Sequence, residues 1–147
     1  YFYNYIPNFE KDALELGEHF SIAMIGIDDF ENIQNKYGNE IAEKLTIHIS
    51  NILISTTNYN DLVSIFSNSV FCLILKNTDG PTAVTISKRL QEEIRKSKFI
   101  IDDGSFLNIS ISVGVLNHQE DNIEETLDQA DMMLYKAKEN GTNQLVC

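Results

Sequence analysis

Basic residues are scarce in this sequence: 11 lysines and arginines stand against 22 acids, for a formal net charge of −11. Nucleic acids and anionic lipids are held through clustered positive charge, so this balance excludes both as general partners. It also makes any polyanionic ligand, a nucleotide included, dependent on local cations or a metal ion. Long apolar runs are missing too. None approaches the roughly 20 residues of a membrane span, and no basic segment leads an apolar one as in a secretory signal. Direct membrane contact is therefore not expected. Cysteine is limited to Cys72 within an apolar run and Cys147 at the end, which form neither a disulfide framework nor a metal spacing. The expected setting is reducing and cytoplasmic, whether free or as the cytoplasmic part of a membrane-attached protein.

What is present is enough for a core. A chain of 147 residues with 43% apolar content and eight phenylalanines fits one globular domain over residues 1–147. The opening YFYNYIPN carries no methionine, and the expectation is a domain excised from a larger protein. The acids sit mostly in helical segments, where a solvated face is the ordinary explanation.

Phe20 to Ile27, FSIAMIGI, is a near-continuous apolar run, as for a central strand covered on both faces. A helical stretch follows, with a break expected near Tyr37 and Gly38. Ile41, Leu45, Ile49, Ile52 and Leu53 then recur at helical spacing, with Asn39 as candidate N-cap. Asp61 to Leu75, DLVSIFSNSVFCLIL, reads as a hairpin turning at Ser-Asn-Ser. Asp79-Gly80-Pro81 places a proline for a helix start, and Ala83, Ile86, Leu90 and Ile94 mark its buried stripe. Phe99–Ile101 and Phe106–Leu116 read as strands joined through Asp102-Asp103-Gly104. Asn122 with Glu125 resembles a capping box for a helix with Ile123, Leu127, Ala130, Leu134 and Ala137 on its buried face. Gly141 stops that helix, and Gln144 to Val146 suit a final short strand. This order predicts an α+β fold of ferredoxin-like, palm-type character: one mixed sheet with helices packed on it.

Several segments together resemble one family. MIGIDDFENIQNKYG is similar to the D-x-D-x-F-K-x-x-N-D-x-x-G of GGDEF domains, whose active members are diguanylate cyclases. SISVGV resembles the family's T-x-S-x-G-V, and ADMMLYKAKENGTN its A-D-x-A-L-Y-x-A-K-x-x-G-R-N. YFYNYIPN looks like a worn form of D-x-L-T-G-L-x-N. The resemblance runs in order from about Tyr1 to Val146 and implies the palm-like fold of nucleotide cyclases.

The hairpin aligns with the family's signature without a gap. Ser67, Asn68, Ser69, Val70 and Phe71 occupy the turn from which the family takes its name, and only the phenylalanine is kept. Joining two GTP molecules calls for metal ions held by hard carboxylates. The resemblance matches those ligand positions to Gly26 and Ser69, neither of which supplies a charged oxygen. Asp28 and Asp29 remain nearby; Asp28 is not expected to replace a ligand from position 26 unless the chain turns, and its ordinary role would be to cap a strand–helix junction. Gln34 and Glu43 match the family's guanine-reading Asn and its Asp partner, each longer by a methylene. Glu31 stands where the family has lysine. Lys138 matches a phosphate-binding lysine, although a lysine there also complements the helix dipole. Thr142 replaces an arginine. At the family's product-inhibition site Asn58 has replaced the arginine, leaving Asp61 and Arg89. His19, His48 and His118 lack ligand spacing.

These features lead to a catalytically inactive GGDEF-like domain acting as a regulatory, interaction or nucleotide-sensing module in bacterial cyclic-di-GMP-type signalling. Its expected partners are neighbouring domains of the same chain, a second copy in a homodimer, and guanine nucleotide. The alternative is a divergent diguanylate cyclase or weak nucleotidase using Asp28 and Asp29, which alone would call for Mg²⁺. No cofactor is otherwise expected. A nucleic-acid polymerase palm is disfavoured by the acidity and the missing carboxylates.

Overall fold

The computed structural model describes residues 20–56, 62–67, 69–76, 78–118 and 123–147. Strand β1 (Phe20–Ile27) is buried along its whole length. Helices α1 (Phe30–Tyr37) and α2 (Asn39–Thr56) follow, separated by Gly38 at φ 94°, a conformation that glycine adopts without a Cβ penalty. Asn39 opens α2, where its side-chain oxygen accepts from Gln34 Nε2 at 2.9 Å. The β2 (Leu62–Ser67) and β3 (Val70–Lys76) hairpin comes next, then α3 (Gly80–Lys96). As its sequence requires, α3 starts at an Asp79 cap whose carboxylate accepts from the Thr82 N–H, with Pro81 in the first turn.

The stretch expected as one strand over Phe106–Leu116 is divided. Phe106–Leu107 (β5) pairs back onto Phe99–Ile100 (β4) in a separate two-stranded sheet. Only Ile111–His118 (β6) enters the main sheet. Between them Ser110 turns its carbonyl to the Asp28 N–H, 3.1 Å away, and the break serves the end of β1. Helix α4 (Ile123–Glu139) and β7 (Leu145–Val146) complete the order. Asn122 of the expected capping box lies outside the described residues.

The main sheet runs β2-β3-β1-β6-β7, antiparallel except for the parallel β6–β7 pair, which is the mixed ferredoxin-like arrangement. Period-2 alternation along β1 divides the core. Ala23, Ile25 and Ile27 face a cluster built from α2 and α3, including Leu45, Ile49, Leu53, Leu90 and Ile94. Phe20, Ile22 and Met24 face Leu127, Ala130 and Leu134 of α4. Each such aliphatic side chain contributes about 2 kcal/mol on leaving water.

Helix α4 lies unusually close to the sheet. A Cβ built at Gly114 of β6 would sit 2.6 Å from the Ala130 carbonyl oxygen and 2.8 Å from the Met133 carbonyl carbon. Only glycine lets the helix backbone approach β6 this closely. That approach sets where the C-terminal end of α4 meets the end of β1.

Candidate functional site

A cleft of about 480 Å³ opens there, bounded by the exit of β1, the start of α1, the hairpin turn and the end of α4. Its lining includes Asp28, Asp29, Glu31, Ser69, Lys138 and Thr142. Three acidic residues and one lysine thus line a single space. The turn is stitched to β1 by the Ser69 carbonyl, which accepts from the Ile27 N–H at 3.0 Å. Ser69 itself has φ 65°, and the β2–β3 register shifts between Ile65 and Ser67. Asn68 lies outside the described residues. Val70 is half-buried at the start of β3, and Phe71 is part of the core.

β1 ends at Ile27, and Asp28 and Asp29 form the turn into α1. Alternation along a strand would place residues 26 and 28 on one face, but β1 ends at Ile27 and Asp28 already belongs to the turn. Asp28 is buried, and both carboxylate oxygens are engaged. Ser112 Oγ donates to Oδ1 at 2.8 Å, while Ser110 Oγ and the Asn143 N–H donate to Oδ2 at 2.6 and 2.8 Å. The carboxylate joins the end of β1, β6 and the loop after α4. Asp29 is exposed in the left-handed region at φ 56° and makes no side-chain capping bond.

Gly26 faces the end of α4. A Cβ built on it would stand 2.5 Å from Lys138 Cε and 2.7 Å from Nζ. The lysine tip therefore occupies the space that any side chain at position 26 would need. The donor set is poor for a divalent ion: Gly26 offers no side-chain oxygen, Ser69 offers a neutral hydroxyl, and Asp28 already accepts three hydrogen bonds. Among the described residues no group of three or more His, Cys, Asp or Glu side chains is placed to hold a metal.

The remaining candidates are dispersed. Gln34 and Glu43 do not belong to the cleft lining. The Gln34 amide is bonded to Asn39, and Glu43 is exposed on α2. Arg89 donates to the Thr56 carbonyl at 3.1 Å, satisfying the C-terminal end of α2. Asp61 lies outside the described residues. His48 is a packing residue: its ring lies against Phe99 and its Nε2 is 3.0 Å from Ser97 Oγ. Ser97 spends its proton on the Ile94 carbonyl, so His48 Nε2 is the donor of that pair. Burial pushes its pKa below the usual imidazole value.

Ser110, Ser112 and Asn143 went unassigned in the sequence although they fix the site. The signal was available in Ser-Ile-Ser, since residues two apart on a strand share a face.

A family model described as diguanylate cyclase, GGDEF domain, matches residues 1–144. The chain belongs to the GGDEF family. Diguanylate cyclase A of Treponema denticola is 31% identical over 133 residues, which cover 89% of this chain and 36% of that protein. The chain thus spans about a third of the length of that relative. Among solved structures, the coiled coil and GGDEF domain of DgcB from Caulobacter crescentus, in complex with c-di-GMP, superposes with a TM-score of 0.90. The identity is 16%, and the match covers 99% of this chain and 78% of that one. Diguanylate cyclase SiaD from Pseudomonas aeruginosa, in complex with its activator SiaC, gives a TM-score of 0.86 at 23% identity, over 93% of this chain and 53% of that one. These two structures establish the fold of this GGDEF domain. Its cleft lies where β1, the signature turn and α4 converge.

Proposed function

We propose that this GGDEF domain does not join GTP into cyclic-di-GMP and serves cyclic-di-GMP-type signalling as a regulatory, interaction or nucleotide-sensing module. Residues 1–147 are read as one domain of a longer bacterial signalling protein, in keeping with the third of its relative's length that it spans. One observation carries the reading. The two positions that the resemblance assigns to metal-holding carboxylates are Gly26 and Ser69, and the Lys138 tip fills the space beside Gly26.

Attack of a hydroxyl on a triphosphate concentrates negative charge that a cation must offset, and each 1.36 kcal/mol of lost stabilisation is tenfold in rate. Loss of two hard ligands removes several such factors. Asp28, the residue on which an alternative chemistry would rest, has its oxygens committed to three donors. Asp29 alone is no metal site.

The retained fold supports the module reading. A protein partner or a neighbouring domain is its proposed reader, as SiaC is a partner of SiaD. A second copy of the chain and guanine nucleotide are the other proposed partners. The test is incubation of the purified chain with GTP and Mg²⁺ or Mn²⁺ followed by chromatography. Unconverted GTP is expected, and a cyclic-di-GMP peak would overturn the proposal.

A further inference from the structure

Strand β2 (Leu62–Ser67) is an edge of the main sheet: β3 pairs with one side of it, and no strand among the described residues pairs with the other. The opposite edge, β7, is only two residues long, as is each strand of the small sheet. Which backbone groups β2 turns outward follows from the ladder. The Ile27 N–H donates to the Ser69 carbonyl, so the odd-numbered residues of β3 bond to β1. Cys72 and Ile74 then bond to Ser64 and Leu62, their partners in register. The N–H and C=O of Val63 and Ile65 are left pointing away from the sheet. Ile65 is also 49% exposed, and Val63 is only half-buried. Edge strands are ordinarily blunted by lysine, proline or charge, and LVSIFS contains none of these. A register shift blunts this edge only beyond Ile65.

We propose that β2 is the docking strand for a second copy of this chain, paired antiparallel about a two-fold axis at Ser64. This register sets Val63 opposite Ile65 of the second copy, and Ile65 opposite its Val63. Every outward N–H and C=O of both residues is then bonded across the seam. Val63 already packs on the α2 side of the sheet, and Ile65 shares that face, so two β-branched pairs also meet there. An identical strand fits because the edge is neutral. Each copy carries a net charge of −11, and LVSIFS is a charge-free stretch of that acidic chain. Pairing uses the long edge of both copies, so assembly closes at a dimer. The seam is short against the roughly 800 Å² per partner of a standard interface, which makes the dimer weak and concentration-dependent. The proposal deepens the module reading by naming how the second copy docks, and rests on that reading for the dimer's role.

Sedimentation velocity from micromolar to submillimolar chain measures the association, in reducing buffer so that the exposed Cys147 forms no link. Wild type is expected to pass from monomer to dimer, more readily at high salt because screening relieves repulsion between acidic copies. Ile65→Lys and Ile65→Pro should each weaken the dimer at least about tenfold. Proline at position 65 removes an outward N–H and no bond to β3, so the hairpin is kept. Amide exchange read by NMR needs no variant and decides even where both substitutions unfold the chain. The Val63 and Ile65 amides should gain protection as concentration rises, while those of Leu62 and Ser64, bonded to β3, stay as they were. A wild type that remains monomeric overturns the proposal. So does a dimer that salt weakens, that either folded variant keeps at full strength, or that leaves the Val63 and Ile65 amides unprotected. GTP turnover would overturn the proposed function and leave the seam standing; a monomer without turnover would overturn the seam alone.

Discussion

The Ser112 hydroxyl donates to Asp28 Oδ1 across 2.8 Å, joining β6 to the end of β1 from a position 84 residues away in sequence. Together with Ser110 and the Asn143 N–H it ties the Asp28 carboxylate to β6 and to the loop after α4. Replacing Asp28 by alanine strands the buried Ser112 hydroxyl and leaves the part-buried bonds from Ser110 and Asn143 unmade. Asp28→Ala is expected to lower unfolding free energy by about 3 kcal/mol. Urea denaturation checks this, and unchanged stability would show that the three bonds contribute little.

Gly114 is the second point at which the fold tolerates no ordinary substitution. In Gly114→Ala the new methyl meets backbone atoms of Ala130, Met133 and Leu134, which cannot swing aside as a side chain would. The expected loss is about 3 kcal/mol. Thermal unfolding within a degree of wild type would mean that α4 can lift from the sheet at little cost.

Local rules made much of this legible in advance. The fully apolar FSIAMIGI became the buried central strand, Gly38 divided the two helices, and Asp79 with Pro81 opened α3. What local patterns could not convey was pairing at a distance. Phe106 and Leu107 have strand-like neighbours on both sides, and only the tertiary fold sends them back to Phe99 and Ile100. The donors to Asp28 lie 82, 84 and 115 residues from it, beyond the reach of any periodicity. The contact of Lys138 with Gly26 likewise exists only once α4 has docked. Arg89, matched to the family's inhibition site, is exposed and donates across 33 residues to the Thr56 carbonyl at the end of α2, a bond that no local pattern shows.

That bond leads to a further expectation. Arg89→Ala should reduce stability by about 0.5 kcal/mol through loss of a favourable helix C-terminal donor. Cyclic-di-GMP should not bind with micromolar affinity at a site built from Asp61 and Arg89, because the bidentate arginine pairing that grips phosphate is reduced. Calorimetry showing micromolar binding that Arg89→Ala abolishes would contradict this.

Acidification should destabilise the domain in two stages. Burial lowers the folded-state pKa of His48 below its usual 6.5, so the unfolded chain takes up the proton first. The contribution of His48 is complete above pH 6.5 and is lost as pH falls through the folded value. Asp79, Glu92 and Asp103 are also held below their usual pKa values, chiefly by hydrogen bonds from Thr82, Arg95 and Ser105. Their contributions disappear on further acidification, below about pH 4.5. Melting temperatures from pH 8 downward should show the first decline in wild type and not in His48→Gln, which keeps a donor toward Ser97. An identical profile in both would remove His48 from the account.

The central claim is that the carboxylates lost at positions 26 and 69 leave no route from GTP to cyclic-di-GMP. The most direct measurement incubates the purified chain at high concentration with α-labelled GTP and excess Mn²⁺ for hours and resolves all labelled products. The account predicts that GTP remains unconverted, with neither the linear dinucleotide intermediate nor cyclic-di-GMP above a protein-free control. Labelled cyclic-di-GMP that accumulates in proportion to protein concentration, and disappears in Asp29→Asn, would contradict it and make the domain an enzyme.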